Sequence, residues 1–280
     1  DKLPLLHHLM RVSPLPELQF EALFVALRSL LLKNLDKMEV SSELIYFLST
    51  LSIHCFTNEY VYFEKDEETK LIKSLEAEIM ETIEKSEQPE AKKILCLASY
   101  RPLHQYNWCQ KLEVLDHLEE VKSRLIEEPY AEREIAAEIP MFGEISDDVS
   151  FKVRAQYEEN PYPRYKHADH THPLFAKPTA EFISLETTIE NPSFCNELST
   201  PNSSPKILIA GCGTGNQIIN ASRYKNAQIT AIDISTNSLA YAARKVQETN
   251  MRNVRLQQLD ILDANQLQDI FDVIECSGVL

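Results

Sequence analysis

The chain has 280 residues, 44% of them apolar, and a formal net charge of −15 at pH 7, which is room for two domains of the usual ~100–200 residues each. The acidic excess lies in residues 1–204, since 205–280 holds seven basic and seven acidic side chains, and an acidic front argues against DNA or RNA bound along it. The sequence shows no apolar run near the ~20 residues of a membrane span and no signal-peptide pattern; its six cysteines, without a C-x-x-C pair, read as reduced cytoplasmic thiols.

Residues 1–128 read as an all-helical domain. Ser41 or Ser42 is placed to cap a helix carrying Leu44, Ile45, Leu48 and Leu51. Asp66, Glu67 and Glu68 then open a helix whose stripe Ile72, Leu75, Ile79 and Ile83 recurs at spacings of three and four. Pro89 can open the next helix. These stripes are core, and no clean 34-residue repeat is visible, so the region is a helical domain and at most the end of a repeat array, a surface for a protein partner.

A connector follows over 129–204, punctuated by Pro129, Pro140, Pro161, Pro163, Pro173 and Pro178, with a helix-like piece at 147–158 and a Ser/Asn/Thr/Pro-rich loop at 196–205. Its cluster Tyr157, Tyr162, Arg164 and Tyr165 suits a lid over a ligand or an anchor onto the next domain, because aromatic faces and a guanidinium attract sulfonium and carboxylate groups respectively. His167, His170 and His172 form H-x-x-H-x-H, but no fourth ligand or typical spacing accompanies them, so they read as solvated linker and no metal is assigned.

The third region, 205–280, concentrates the glycines. Of five in the chain, Gly211, Gly213 and Gly215 close the apolar run Ile207-Leu208-Ile209-Ala210, interleaved by Cys212 and Thr214. A strand that breaks into such a loop lets a ligand touch main chain. The pattern is G-x-G-x-G with Asn216 where a dinucleotide fingerprint needs its third glycine, which disfavours NAD, and no Gly-Lys-Ser/Thr follows for a P-loop. A second strand, 228–232, ends on Asp233, whose acceptor-only oxygens suit a ribose diol. Ser235 then caps a helix through Leu239, Ala242, Ala243 and Val246 to Asn250. A third strand, 254–259, closes on Asp260 and a fourth spans 271–276, with Asp263 read as a cap, Asp272 as a strand-edge residue and Glu275 as a weak pocket candidate. Cys212 reads as a small buried thiol rather than a nucleophile. The order is that of an α/β fold with about four parallel strands and ligand groups at their carboxyl ends.

These four segments, in order and correctly spaced, resemble the class I S-adenosylmethionine-dependent methyltransferases. The resemblance implies a partial Rossmann-like sheet and S-adenosylmethionine as cofactor. It implies that Ala210, Gly211, Cys212, Gly213, Thr214 and Gly215 pass the methionine portion, Asp233 with Ile234 binds the ribose, and Asp260 and the Ile261 N–H meet the adenine. Tyr157, Tyr162 and Arg164 join this set as the lid. The family's acid two residues before the first glycine is replaced by Ile209. Segments 156–165 and 55–61 are similar to bacterial methyltransferases that carry tetratricopeptide-like helices.

The implied reaction is direct displacement, with no catalytic base identified and the acceptor a protein or small molecule in preference to RNA. An oxidoreductase using a nucleotide and a helical interaction protein with an inactive Rossmann-like domain are the alternatives. Because the fourth strand is followed at once by Leu280, the chain is expected to be a fragment that exposes an apolar strand edge.

Overall fold

The computed structural model describes residues 3–143, 147–186 and 203–279; Cys195, the loop at 196–205 as far as residue 202, and Leu280 lie outside the described residues. The chain divides into two compact units, Asp1–Ala131 with Pro163–His167, and Glu132–Tyr162 with Ala168–Leu280. The expected connector is therefore shared between the two units. Most of it joins the second, where its backbone and side chains hydrogen-bond to sheet elements as described below.

The first unit contains α1 (Pro4–Val12), α2 (Leu18–Asn34), α3 (Ser42–Thr57), α4 (Asp66–Glu84) and α5 (Ala91–Ala98), and then α6 (Glu119–Lys122), which runs through a π-turn at Ser123–Glu127 into α7 (Glu128–Glu138), a helix whose residues from Glu132 on belong to the second unit. Ser41 is the cap of α3: its hydroxyl accepts from the Leu44 N–H at 3.2 Å, a bond of about 1 kcal/mol. The α4 stripe is buried at Ile72, Leu75 and Ile79, with Ile83 packed against the same core. That core gathers Leu48, Ile53, Ile94, Leu95 and Leu97, all without solvent contact.

Several buried polar side chains of this unit find their partners within it. Arg28 donates to the carbonyls of Ser99, Tyr62 and Phe63 at 3.3, 3.1 and 2.9 Å and lies 4.0 Å from the centre of the Tyr100 ring. Tyr100 donates to Glu68 at 2.8 Å, and Glu68 also accepts from the Lys65 N–H at the start of α4. His54 lies between the Met10 carbonyl and the Tyr62 hydroxyl, at 3.0 and 2.7 Å. Burial lowers its pKa to about 4, so the ring is neutral at pH 7.

The second unit is built on four parallel strands, β1 (Lys206–Ala210), β2 (Gln228–Asp233), β3 (Val254–Gln258) and β4 (Val273–Cys276), in the order β3-β2-β1-β4. Alternate residues of β1 serve opposite faces, as the two-residue period requires. Ile207 and Ile209 join a core with Ile218, Ile219, Leu239, Ala242 and Val246, while Leu208 and Ala210 join one with Ile232 and Leu259. The first core covers α10 (Asn216–Asn220) and α11 (Thr236–Glu248). Preceding the sheet are α8 (Asp148–Glu159), capped by Asp147 on the N–H groups of Val149 and Ser150, and α9 (Thr179–Glu186).

Former connector residues extend this sheet. Gln258 donates its N–H to Pro140 O at 2.9 Å and its carbonyl accepts from Phe142 N at 3.0 Å, so Met141 pairs in parallel with the end of β3. The Arg244 guanidinium meets Glu132 at 2.8 Å, both side chains more than nine-tenths buried.

Candidate functional site

Three loops meet at the carboxyl edge of the sheet because the strands are in register there. Ala210 pairs with Ile232 and Asp233 with Gln258. The Ile232 carbonyl receives the N–H groups of both Gly211 and Cys212, at 2.9 and 3.0 Å, and the Asp233 carbonyl receives that of Leu259 at 3.0 Å. The glycine loop, Asp233 and Asp260 therefore share one rim, as the sequence reading requires.

The three glycines of the loop differ in what requires them. All have positive φ, +69°, +51° and +90° for Gly211, Gly213 and Gly215, in the region that disfavours side chains. A Cβ on Gly215 would lie 2.7 Å from the Ala242 Cβ, and one on Gly211 would meet Val279 at 2.2 Å. Those two serve internal packing. A Cβ on Gly213 would meet no atom within 4 Å, so its bare backbone faces open space. Of the three, Gly213 is thus the glycine whose backbone is open to a ligand.

Asp233, only 9% exposed, anchors that loop. One carboxylate oxygen accepts from Gly213 N at 2.7 Å and the other from Ser235 N at 2.9 Å. Burial raises its pKa, opposed by these backbone donors. The Ile234 N–H is a third backbone donor to this carboxylate, which leaves about one of its roughly four acceptor positions uncommitted. Ser235 caps α11 through Ser238 N at 3.1 Å. Asp260, buried at 6% exposure, caps the 3-10 turn Ile261–Gln266 by accepting from Leu262 N at 3.0 Å. The cap is thus Asp260 and not Asp263, which follows within the turn. Ile234 and Ile261 are half-buried beside these acids, and the Gln258 amide fixes the Ile234 carbonyl at 2.9 Å.

Thr214 and Cys212 are buried. Burial pushes the Cys212 thiol well up, with the nearby Asp233 charge adding to it, which keeps it protonated and without nucleophilic character.

Outside the loop, the expected lid separates. Tyr157, at the end of α8, and Tyr162 are 37% and 46% exposed in the sheet unit. Arg164 is a correction: it belongs to the helical unit, 7% exposed, paired with Glu59 and 4.5 Å from the Phe56 ring centre. A carboxylate and a ring already engage the guanidinium that the sequence offered to a methionine carboxylate. Glu275 is likewise taken up, accepting from Tyr224 at 2.5 Å and Arg223 at 3.2 Å, and Asp272 ties β4 to β1 through Lys206 N at 2.8 Å. His172 accepts from Leu174 N at 3.3 Å, and no group of three metal-binding side chains occurs among the described residues.

The feature that sequence reasoning missed is Glu158. Its carboxylate accepts from the Thr236 and Asn237 N–H groups at 2.8 and 3.0 Å, and its carbonyl from the Asn237 amide at 2.6 Å. An acid near the end of one helix and an uncharged opening turn on another were the only signals, 78 residues apart.

The family comparison agrees with this geometry. Residues 201–280 match the family model described as a methyltransferase domain. An uncharacterized protein of Rickettsia prowazekii is 31% identical over 127 residues, 45% of this chain and 46% of that protein. One from Synechococcus is 34% identical over 141 residues, 50% of this chain and 32% of its own. Among solved structures, PKMT2 from Rickettsia typhi in complex with AdoHcy is 26% identical, with a TM-score of 0.30, over 41% of this chain and 21% of that one. The chain thus spans less than half the length of these relatives. With the strand order and the glycine loop, the match identifies residues 201–280 as a methyltransferase domain.

Proposed function

We propose that this chain is part of an enzyme that transfers the methyl group of S-adenosylmethionine to a nucleophilic atom of a protein or small-molecule acceptor. The observation that carries the reading is the open backbone face of Gly213, held by a buried carboxylate at the rim of the sheet. Bound there, the cofactor supplies an already activated sulfonium methyl, so the protein needs no nucleophile of its own.

The residues do three things. Gly213 admits the methionine portion against main chain. Asp233 orders the loop and accepts from the ribose, with Ile234 alongside. Asp260 and the Ile261 N–H face the adenine. Alignment of acceptor and methyl can contribute about 7–11 kcal/mol. Tyr157 and Tyr162 are the exposed aromatic rings suited to a sulfonium.

The helical unit is the surface for selecting the acceptor or a protein partner, and the acidic front lowers nucleic acid as that acceptor. The five described cysteines are all free thiols and no described helix is long and apolar enough to cross a membrane, in keeping with a cytoplasmic enzyme. Calorimetric titration with S-adenosylhomocysteine and with NADH tests the reading: the first binds and the second does not. Asp233→Ala weakens the first at least about tenfold, since a buried double acceptor is worth more than ~1.4 kcal/mol. Equal affinity in the variant removes Asp233 from the site.

A further inference from the structure

No side chain of α8 is fully buried, and Val149 and Phe151 are more than 60% exposed. Apolar burial therefore gives this helix little hold on the sheet unit. Its attachment is polar and sits at one end, where Glu158 takes the N–H groups of Thr236 and Asn237 and the Asn237 amide returns to the Glu158 carbonyl. A carboxylate at a helix amino end is favoured both by the orphan N–H groups and by the helix dipole. With Ser235 bonded to Ser238 N, two side chains, one of them from outside the helix, satisfy the opening turn of α11.

These bonds continue to the site. Ser235 N donates to one oxygen of Asp233 and Gly213 N to the other, so an unbroken path runs from Glu158 through the start of α11 to Asp233 and the open glycine. We propose that Glu158 is a positioning residue for the ribose end of the site: by clamping α8 to the first turn of α11 it fixes Ser235 and, through it, the aim of Asp233. The clamp deepens the methyltransferase reading and rests on it.

The full-length protein and its E158A and E158Q variants test this with S-adenosylhomocysteine titrated by calorimetry well below melting, and with amide hydrogen exchange in the unliganded state. E158A is expected to weaken binding about tenfold and to speed exchange at Thr236 and Asn237. E158Q, which keeps one acceptor oxygen, recovers part of both effects and serves alone if E158A does not fold. Wild-type affinity in both variants, with or without a lower melting temperature, overturns the positioning role, as does unchanged exchange at the two amides. A wild-type protein that binds no S-adenosylhomocysteine overturns the functional reading and the clamp's role with it, an outcome distinct from failure of the clamp alone.

Discussion

The two units treat buried polar groups in opposite ways. In the helical unit Arg28, His54, Glu68 and Tyr100 are closed on one another and on backbone carbonyls, and this arrangement stabilises a core. In the sheet unit Asp233 and Asp260 are also buried, but each spends its bonds on a loop end at the rim and keeps acceptor capacity. Burial by itself does not mark a site. Burial with acceptor positions left over, next to backbone that faces open space, does.

Substitutions in the glycine loop sharpen that contrast. Gly215→Ala places a methyl 2.7 Å from the Ala242 Cβ at positive φ, and chemical denaturation is expected to show about 3 kcal/mol lost, from overpacking and left-handed strain together. Gly213→Ala meets no neighbour, so it costs only the strain of about 1–2 kcal/mol, yet affinity for S-adenosylhomocysteine falls by about a hundredfold, or ~2.7 kcal/mol. Equal effects of the two changes on both readouts would erase the distinction between packing and binding glycines.

A smaller effect separates the helical unit. His54 has its folded pKa lowered to about 4 from 6.5, so the stability its neutral ring contributes is present above pH 6.5 and is lost as pH falls toward 4. Between pH 7 and 4.5 this amounts to about 2 kcal/mol. Urea unfolding of the helical unit at the two pH values measures it, and His54→Gln flattens the slope; a slope unchanged in the variant assigns the acid sensitivity elsewhere.

Much of this was legible in the sequence. Strand β1 and its loop announced themselves because glycine is scarce elsewhere, and Asp233 and Asp260 because they end β-branched or apolar runs. The α4 stripe was readable from its period and the α3 cap from its serines. What was not legible depends on contacts distant in sequence. Arg164 lies among aromatic residues in a motif that suits a lid, but its partner, Glu59, is 105 positions earlier. Met141 extends the sheet from a proline-flanked segment with no strand pattern, because Gln258 supplies the backbone partners. The separate tasks of the three glycines follow from Val279 and Ala242, which no spacing rule connects to the loop.

The most direct test of the central claim is a crystal structure of the protein with S-adenosylhomocysteine. The ribose hydroxyls are expected within about 2.6–3.2 Å of the Asp233 carboxylate, with the amino acid portion passing over Gly213. A ligand bound at the opposite edge of the sheet, or on the helical unit, would contradict it.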